Sequence, residues 1–229
     1  CGECAVYASV GNPWPELQYI VRHSGASVVF VGDQEQLDKV LQARALDGGL
    51  PALRKIVIFD AKGIRGYDTT DLLQFDALLA LGTQATADAP AWLDAQIDAG
   101  RPDDCCVLVY TSGTTGPPKG AMIRHRNLVW AADAYADASG MFTQPFDTIS
   151  YLPLCHVADR CYSMVMHLVV GGRVNFAESI DTVAANVREI APTVFIGVPR
   201  IYEKMQQSLL FRLEEGGRWP KRIFDAVMA

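Results

Sequence analysis

The residues best suited to chemistry lie in the segment Tyr110-Thr-Ser-Gly-Thr-Thr-Gly-Pro-Pro-Lys-Gly120. It follows an apolar strand-like run and precedes a segment of helical period. Its glycines and hydroxyls are therefore expected in a turn whose backbone N–H groups can approach an anion. Hydroxyl side chains add donors, and Lys119 adds a mobile positive charge. The sequence thus predicts a polyphosphate-binding loop, with the binding residues Thr111, Ser112, Gly113, Thr114, Thr115, Gly116 and Lys119.

The residue order of this loop bears on two other interpretations. A Walker A loop that starts at Gly113 would need glycine before Lys119 and serine or threonine after it, but the sequence has Pro118 and Gly120 there. This disfavours a P-loop NTPase. The other alternative is an ordinary flexible turn, because turns use the same residue types.

The elements that must position this loop follow a repeated pattern. Short apolar runs alternate with segments of helical period, which predicts an α/β fold of βαβ units with mostly parallel sheets. The predicted strands cover 26–31, 55–60, 106–110, 148–152, 173–176 and 193–198. The predicted helices cover 34–45, 71–81, 126–138, 157–170, 182–190 and 201–215.

Composition shifts along the chain suggest its organisation. A polar, alanine-rich stretch over 82–104 predicts a boundary between a first lobe segment, 1–104, and a second segment, 105–229. The chain opens in a strand-like run and closes in an amphipathic segment, 221–229, without a helix stop signal. We therefore expect both ends to lie inside a larger domain.

Charge and cysteine content limit the possible partners. Half of the 229 residues are hydrophobic and the formal net charge is −6, which predicts a sizeable core and argues against nucleic acid as a partner. The sequence shows no secretory leader and no apolar stretch of the ~18 residues that a membrane span needs, so a cytoplasmic chain is expected. Six cysteines are too sparse for a disulfide scaffold. The pair Cys1-Gly-Glu-Cys4 has zinc-like spacing, but no second ligand pair follows it.

The loop and three further segments resemble the long-chain fatty-acid–CoA ligases of the adenylate-forming (AMP-binding) superfamily. Tyr151-Leu-Pro-Leu-Cys-His-Val-Ala-Asp-Arg160 and Val198-Pro-Arg-Ile-Tyr-Glu-Lys-Met205 are similar to two motifs of those ligases. Tyr19-Ile-Val-Arg-His-Ser-Gly-Ala26 is similar to the helix-to-strand step that precedes them. The likeness covers nearly the whole chain in family order. It implies part of the large N-terminal domain of such an enzyme.

The resemblance implies a two-step reaction with ATP, Mg²⁺ and coenzyme A. A fatty-acid carboxylate would first form acyl-AMP, and coenzyme A would then displace AMP. Lys119, His156 and Thr114 are implied as catalytic residues, with Thr114 touching Mg²⁺ and His156 positioning the carboxylate. Peripheral membrane contact is compatible with such a substrate, because long-chain acids partition into bilayers.

Other residues of these motifs have two interpretations each. By itself, His156 at the start of an apolar helix would more often be a satisfied core residue. Asp159 and Arg160 could form a solvent-facing pair or belong to the site wall. Arg200, Glu203 and Lys204 suit an ion-pair network as well as substrate contact. Met164, Val165, Met166 and Leu168 could line an acyl tunnel or belong to the core. His125, Arg126 and Asn127 are expected to shape the start of the helix after the loop.

The family's later motifs, for adenine, ribose, the hinge and a C-terminal lysine, have no counterpart after Met205. We therefore expect the 229 residues alone to be inactive. Two alternative functions are compatible with these residues. One is a related enzyme for aryl, medium-chain or amino-acid carboxylates, and the other is a non-catalytic module that binds acyl groups or nucleotides.

Overall fold

The computed structural model describes residues 5–6, 11–111, 116–143, 146–216 and 224. Internal contacts divide the chain into two compact units. The first comprises Cys1–Ala131 and Pro153–Arg160, and the second comprises Ala132–Leu152 and Cys161–Ala229. The predicted division between 1–104 and 105–229 does not coincide with the edges of these units. As a division within a larger domain, it stays a prediction.

The first unit alternates strands with helices. Its strands are β1 (Ala5–Val6), β2 (Val28–Val31), β3 (Lys55–Ile58), β4 (Leu72–Gln74), β5 (Cys105–Thr111) and β6 (Lys119–Arg124). Its helices are α1 (Trp14–Ser24), α2 (Gln34–Ala45), α3 (Phe75–Asp88), α4 (Trp92–Ala99), the start of α5 (His125–Ala138), and α6 (Val157–Asp159). Its described strands form two sheets, in the orders β1-β5-β6 and β2-β3-β4. Only the pair of β5 with β6 is antiparallel among them. The prediction of an α/β fold with mostly parallel sheets is confirmed.

The sheet β2-β3-β4 and two helices form the main core of this unit. β2 pairs with β3 over four residue pairs, and β3 with β4 over three. Residues 56–58 of β3 are all buried, as expected for the central strand of a parallel sheet covered on both faces. Helices α1 and α2 pack into this core through Val21, Leu37 and Val40.

Helix α2 has the bounds that its sequence predicts. The carboxylate of Asp33, at the N-cap, accepts a hydrogen bond from the backbone N–H of Gln36 at 3.0 Å. This satisfies one of the donors that a helix start leaves open. The local signal and the tertiary structure agree here.

The helix predicted over 71–81 is wrong at its start. Residues 72–74 form β4, which pairs with β3 so that Leu72 lies opposite Ile56. Helix α3 begins only at Phe75 and continues to Asp88, into the stretch predicted as a polar boundary. Pairing with β3 satisfies backbone groups within the sheet, and this tertiary contact overrides the local helical pattern.

The second unit contains the parallel pair β7 (Asp147–Ser150) and β8 (Arg173–Phe176). Its helices are the end of α5, then α7 (His167–Val170), α8 (Val183–Ile190) and α9 (Pro199–Glu215). One apolar cluster consists of Ala132, Ala136, Met141, Phe146 and Met166. A second cluster consists of Tyr151, Val183 and Ile201.

The strand predicted over 193–198 is wrong. The segment runs beside β7, where the N–H of Val194 donates to the carbonyl of Asp147 at 3.0 Å. Farther along, the hydroxyl of Tyr151 donates to the carbonyl of Ile196 at 3.1 Å and accepts from the N–H of Val198 at 3.3 Å. A side chain thus satisfies backbone groups that a neighbouring strand would otherwise pair.

The helix predicted over 157–170 is present but irregular. Between α6 and α7, residues Arg160–Met166 form π-helical turns. Such turns are rare and often occur at functional sites. At the chain ends, only Ala5–Val6 of the strand-like run 4–10 and Phe224 of the segment 221–229 are described.

The core assignment predicts unequal effects for two leucines. Leu37 in α2 is 1% exposed and Leu79 in α3 is 54% exposed. Replacing Leu37 with alanine leaves a cavity, so we expect the free energy of unfolding to fall by about 2–5 kcal/mol. For the matched control Leu79→Ala, we expect a loss of about 0.5 kcal/mol or less. Urea titration followed by circular dichroism measures both values, and equal losses would contradict the assigned core.

Candidate functional site

The candidate loop, residues 112–118, joins the antiparallel strands β5 and β6. In the register of that pair, Thr111 lies opposite Lys119 and Tyr110 lies opposite Gly120. Paired residues have Cα atoms about 4.5–5.5 Å apart and project to the same face of the sheet. Thr111 and Lys119 therefore close the base of the loop. Ser112, Gly113, Thr114 and Thr115 lie outside the described residues.

The returning arm of the loop is described from Gly116. Gly116 has a φ of 92°, a backbone conformation that favours glycine. Lys119 is the exposed first residue of β6. The helix predicted over 126–138 is confirmed as α5, which begins at His125, and β6 lies between it and the loop. Lys119 is thus positioned by strand pairing.

Three aromatic side chains support the base of the loop. Nδ1 of His23 lies 2.7 Å from the hydroxyl oxygen of Tyr110. The rings of Tyr19 and His23 stack with centroids 5.3 Å apart, and both meet Tyr110 edge-on. Tyr110 also covers Gly120, where an added Cβ would lie 3.1 Å from Cζ of the tyrosine.

Tyr19 and His23 are not among the site residues that the sequence predicts. Their segment was recognised only as a helix-to-strand step, and 87 residues separate His23 from Tyr110. A contact across such a distance leaves no local pattern. The resemblance of segment 19–26 to the family is the sequence signal that links it to the loop.

The start of α5 is fixed by a small polar network. The side-chain oxygen of Asn127 accepts from the backbone N–H of Arg124 at 3.0 Å, as the third residue of a helix does in a capping box. One carboxylate oxygen of Asp103 pairs with Arg124 at 2.9 Å and with Arg126 at 3.0 Å. These residues shape the helix start, as expected. The exposed ion pairs themselves stabilise it by about 1 kcal/mol or less.

The segment Pro153–Arg160 presents His156 at the N-cap of α6. The side chain of His156 is exposed, and its backbone N–H donates to the carbonyl of Pro153 at 2.9 Å. The Arg160 guanidinium donates to the carbonyl of Leu154 and closes the segment on itself. Because Asp159 and Arg160 are 5% and 4% exposed, the alternative of a solvent-facing pair is wrong.

Two cysteine thiols near these elements have a raised pKa. Burial raises the pKa of Cys106, and the nearby Arg160 guanidinium opposes this only in part. Burial also raises the pKa of Cys161. A raised pKa keeps a thiol protonated at neutral pH.

The predicted site residues of the second unit have different environments. Met166 is fully buried in the core, whereas Leu168 is 76% exposed, so the apolar stripe is not one continuous lining. Arg200, Glu203 and Lys204 lie exposed on α9. The ammonium of Lys204 lies 3.9 Å from a carboxylate oxygen of Asp181.

Within residues 5–6, 11–111, 116–143 and 146–216, no three His, Cys, Asp or Glu side chains are grouped to hold a metal ion. In the same part of the chain, no helix has both the length and the apolar character needed to cross a membrane.

Three curated relatives share about a third of their aligned residues with this chain. The long-chain-fatty-acid–CoA ligase ACSBG1 of Rattus norvegicus is 36% identical over 84% of this chain and 26% of its own length. ACSBG1 of Bos taurus is 35% identical over 92% of this chain and 29% of its own length. The ligase ACSBG2 of Xenopus laevis is 34% identical over 91% and 28%, respectively. The chain therefore spans less than a third of the length of these relatives.

Solved structures share the fold. The inhibitor-bound N-terminal domain of FACL13 from Mycobacterium tuberculosis matches with a TM-score of 0.66 and 25% identity, over 89% of this chain and 46% of that one. The anthranilate CoA ligase AuaEII in complex with anthranoyl-AMP matches with a TM-score of 0.62 and 24% identity, over 87% of this chain and 36% of that one.

The family model described as "AMP-binding enzyme" matches residues 2–220. That range includes the hairpin that closes the candidate loop and the segment that presents His156. With this match over nearly its whole length, the chain belongs to the AMP-binding enzyme family.

Proposed function

We propose that this chain carries the phosphate loop and part of the acyl site of an ATP-dependent long-chain fatty-acid–CoA ligase. The observation that carries the proposal is the closed base of the loop, where Lys119 lies opposite Thr111. The names of the curated relatives supply the substrate class. Each of those relatives extends well beyond the matched part, so the activity is proposed for the protein in which these residues work.

The proposed reaction has two steps. A carboxylate oxygen of the fatty acid attacks the α-phosphorus of ATP, and the bond to the leaving pyrophosphate breaks. The sulfur of coenzyme A then attacks the acyl carbon, the thiol proton is lost, and AMP leaves. The first step requires in-line placement of the attacking oxygen and neutralisation of charge on the pyrophosphate.

The loop residues suit that charge neutralisation. Lys119 projects from the same face as Thr111, at the point where the loop begins and ends. We assign Lys119, Thr111, Ser112, Thr115 and the N–H groups around Gly113 and Gly116 to the phosphates. Charge-assisted hydrogen bonds of this kind are about twice as strong as neutral ones.

Mg²⁺ would accompany the nucleotide, and we assign Thr114 as its protein contact. Mg²⁺ keeps several waters and is commonly held by substrate phosphates and only one or two protein groups. The described part of the chain contains no dedicated metal cluster, which fits an ion that is bound mainly by ATP. The ion would neutralise phosphate charge in the first step.

His156 is assigned to positioning of the fatty-acid carboxylate. Its side chain is exposed at the start of α6, and the contact between Arg160 and Leu154 fixes the short segment that carries it. A carboxylate is already ionised near pH 7, so the first step needs no general base. The imidazole would therefore orient the nucleophile by a hydrogen bond.

The first test replaces Lys119 with alanine in the natural protein that contains these residues. Loss of a charge-assisted contact should reduce transition-state stabilisation by about 1.5–3 kcal/mol, or roughly 10- to 150-fold in kcat/KM for ATP. Pyrophosphate exchange driven by a fatty acid measures this step. Lys119→Arg should retain part of the activity because it keeps the charge.

The matched control is Lys62→Ala. Lys62 is also exposed, and its ammonium lies 3.8 Å from Asp60 in a surface ion pair. Such pairs contribute little, so exchange should stay within about twofold of the parent. Unchanged exchange in Lys119→Ala would show that Lys119 does not bind the phosphates.

The second test concerns the acid. Release of AMP in the presence of coenzyme A should be faster with long saturated or monounsaturated acids than with acetate, benzoate or amino acids, because only a long chain buries enough apolar surface to increase binding. A panel at equal acid concentration measures the preference. Preference for an aryl acid or an amino acid would contradict the proposed substrate class and assign the chain to another branch of its family.

The third test uses residues 1–229 alone. ATP binding draws on adenine, ribose, Mg²⁺ and phosphate contacts together, and we assign only the phosphate contacts and Thr114 to these residues. We expect no sustained formation of acyl-AMP from radiolabelled ATP and a long-chain acid. Multiple turnovers by purified protein, free of contaminating ligase, would show that these residues form a complete site.

A further inference from the structure

We propose that His23 and Tyr110 are positioning residues for the phosphates of ATP. Their hydrogen bond joins the last turn of α1 to the base of the candidate loop. The bond would hold Thr111 and Lys119 at the spacing that the phosphates require. This inference rests on the proposed function, because it takes ATP as the ligand of the loop.

Tyr110 lies directly beside the loop, so a small movement of its side chain would displace loop residues. It immediately precedes Thr111, and its register partner Gly120 immediately follows Lys119. The tyrosine ring packs so closely on Gly120 that an added Cβ would lie 3.1 Å from Cζ. Rotation of this ring would therefore disturb both arms of the loop at once.

His23 contacts the Tyr110 side chain through its imidazole ring. Its Nδ1 lies 2.7 Å from the tyrosine hydroxyl, and its ring meets the Tyr110 ring edge-on at a centroid distance of 5.7 Å. Tyr19, one helical turn earlier, stacks on His23 at 5.3 Å. One hydrogen bond and two ring contacts, from His23 and from Tyr19, thus restrain Tyr110.

The end of α1 is a firm support for this contact. Gly25 caps the helix in the left-handed conformation, and its N–H donates to the carbonyl of Arg22 at 3.1 Å. The N–H of Ala26 donates to Val21 at 3.2 Å, which completes a Schellman-type end. Val21 is buried in the core of the sheet β2-β3-β4. His23 therefore links that core to the sheet that carries the loop.

The other arm of the loop depends more strongly on this support. In the described sheet β1-β5-β6, β6 is an edge strand that pairs with β5. Lys119 begins this edge strand, so its position follows from β5 and from the contact of Gly120 with Tyr110. Displacement of a reacting group by about 1 Å can reduce a rate by about 10²-fold.

If His23 and Tyr110 only stabilised the fold, their variants would lower stability without a specific change in KM for ATP. His23 is exposed, so its hydrogen bond competes with water and contributes modestly to stability. Tyr67 offers a matched comparison in the same unit, because its hydroxyl donates to Asp38 at 2.7 Å and accepts from Gln34 at 2.9 Å. Tyr67→Phe removes a tyrosine hydroxyl of the same kind from residues outside the proposed site.

The experiment compares Tyr110→Phe, His23→Ala, their combination, His23→Asn and Tyr67→Phe in the natural protein that contains these residues. Initial rates are measured against ATP at saturating acid and against acid at saturating ATP. Tyr110→Phe and His23→Ala should each raise KM for ATP about three- to tenfold, the range expected for one hydrogen bond. KM for the acid should change less than about twofold.

Two further results identify the bond itself. The double variant should be no worse than His23→Ala, because Tyr110→Phe removes only the hydrogen bond that His23→Ala has already removed. His23→Asn should recover most of the ATP affinity, since a carboxamide can place a hydrogen-bonding atom near the position of Nδ1. Tyr67→Phe should leave KM for ATP unchanged even if it lowers the melting temperature.

The outcomes separate this inference from the proposed function. If Lys119→Ala weakens ATP use while His23→Ala and Tyr110→Phe do not, the inference is wrong and the function stands. A defect in Tyr110→Phe without one in His23→Ala would assign the hydroxyl to another partner and also overturn the inference. If Lys119→Ala has no effect, the assignment of the loop fails, and the inference fails with it. Should His23→Ala not fold, Tyr110→Phe and His23→Asn still decide the matter.

Discussion

Antiparallel pairing of β5 with β6 is the interaction on which the candidate site depends. Its register places Thr111 opposite Lys119 and so fixes where the loop begins and ends. A shift by one residue would move every side chain of β6 to the other face of the sheet. At the end of the pair away from the loop, the register shifts between Cys105 and Val107. Below the loop, pairing is regular from Val107 to Thr111.

The hairpin takes its position from a core that has no part in the chemistry. Burial of apolar side chains in the sheet β2-β3-β4 fixes α1 and α2, and burying one such side chain contributes about 1.5–3 kcal/mol. The hydrogen bond between His23 and Tyr110 contributes less, about 0.5–1.5 kcal/mol. Burial of apolar side chains thus fixes α1. The weaker hydrogen bond between His23 and Tyr110 links the position of α1 to that of the loop. In this arrangement, the precision of the site and the stability of the fold depend on different contacts.

The electrostatics of the site are local. The chain has a formal net charge of −6, which by itself would disfavour a polyanion. A loop of backbone N–H groups and hydroxyls needs little formal charge, because aligned dipoles stabilise phosphate oxygens at short range. One lysine at the base of the loop adds a mobile charge, and the proposed Mg²⁺ would neutralise the nucleotide itself. An acidic protein can therefore bind ATP at such a loop.

The sequence alone determined the features that local chemistry controls. Helix α2 was predicted with its observed bounds because its cap and its apolar spacing lie within the helix itself. The loop stays a prediction, which rests on the glycines, hydroxyls and Lys119 that stand within the eleven residues 110–120. Tertiary structure decided the rest. Residues 72–74 became a strand because β3 offered a partner, and 193–198 did not become one because the hydroxyl of Tyr151 took backbone partners. The support of Tyr110 by His23 bridges 87 residues. Hydrophobic periodicity reflects only residues that are close together in the sequence. It therefore cannot predict a contact between residues so far apart in the chain.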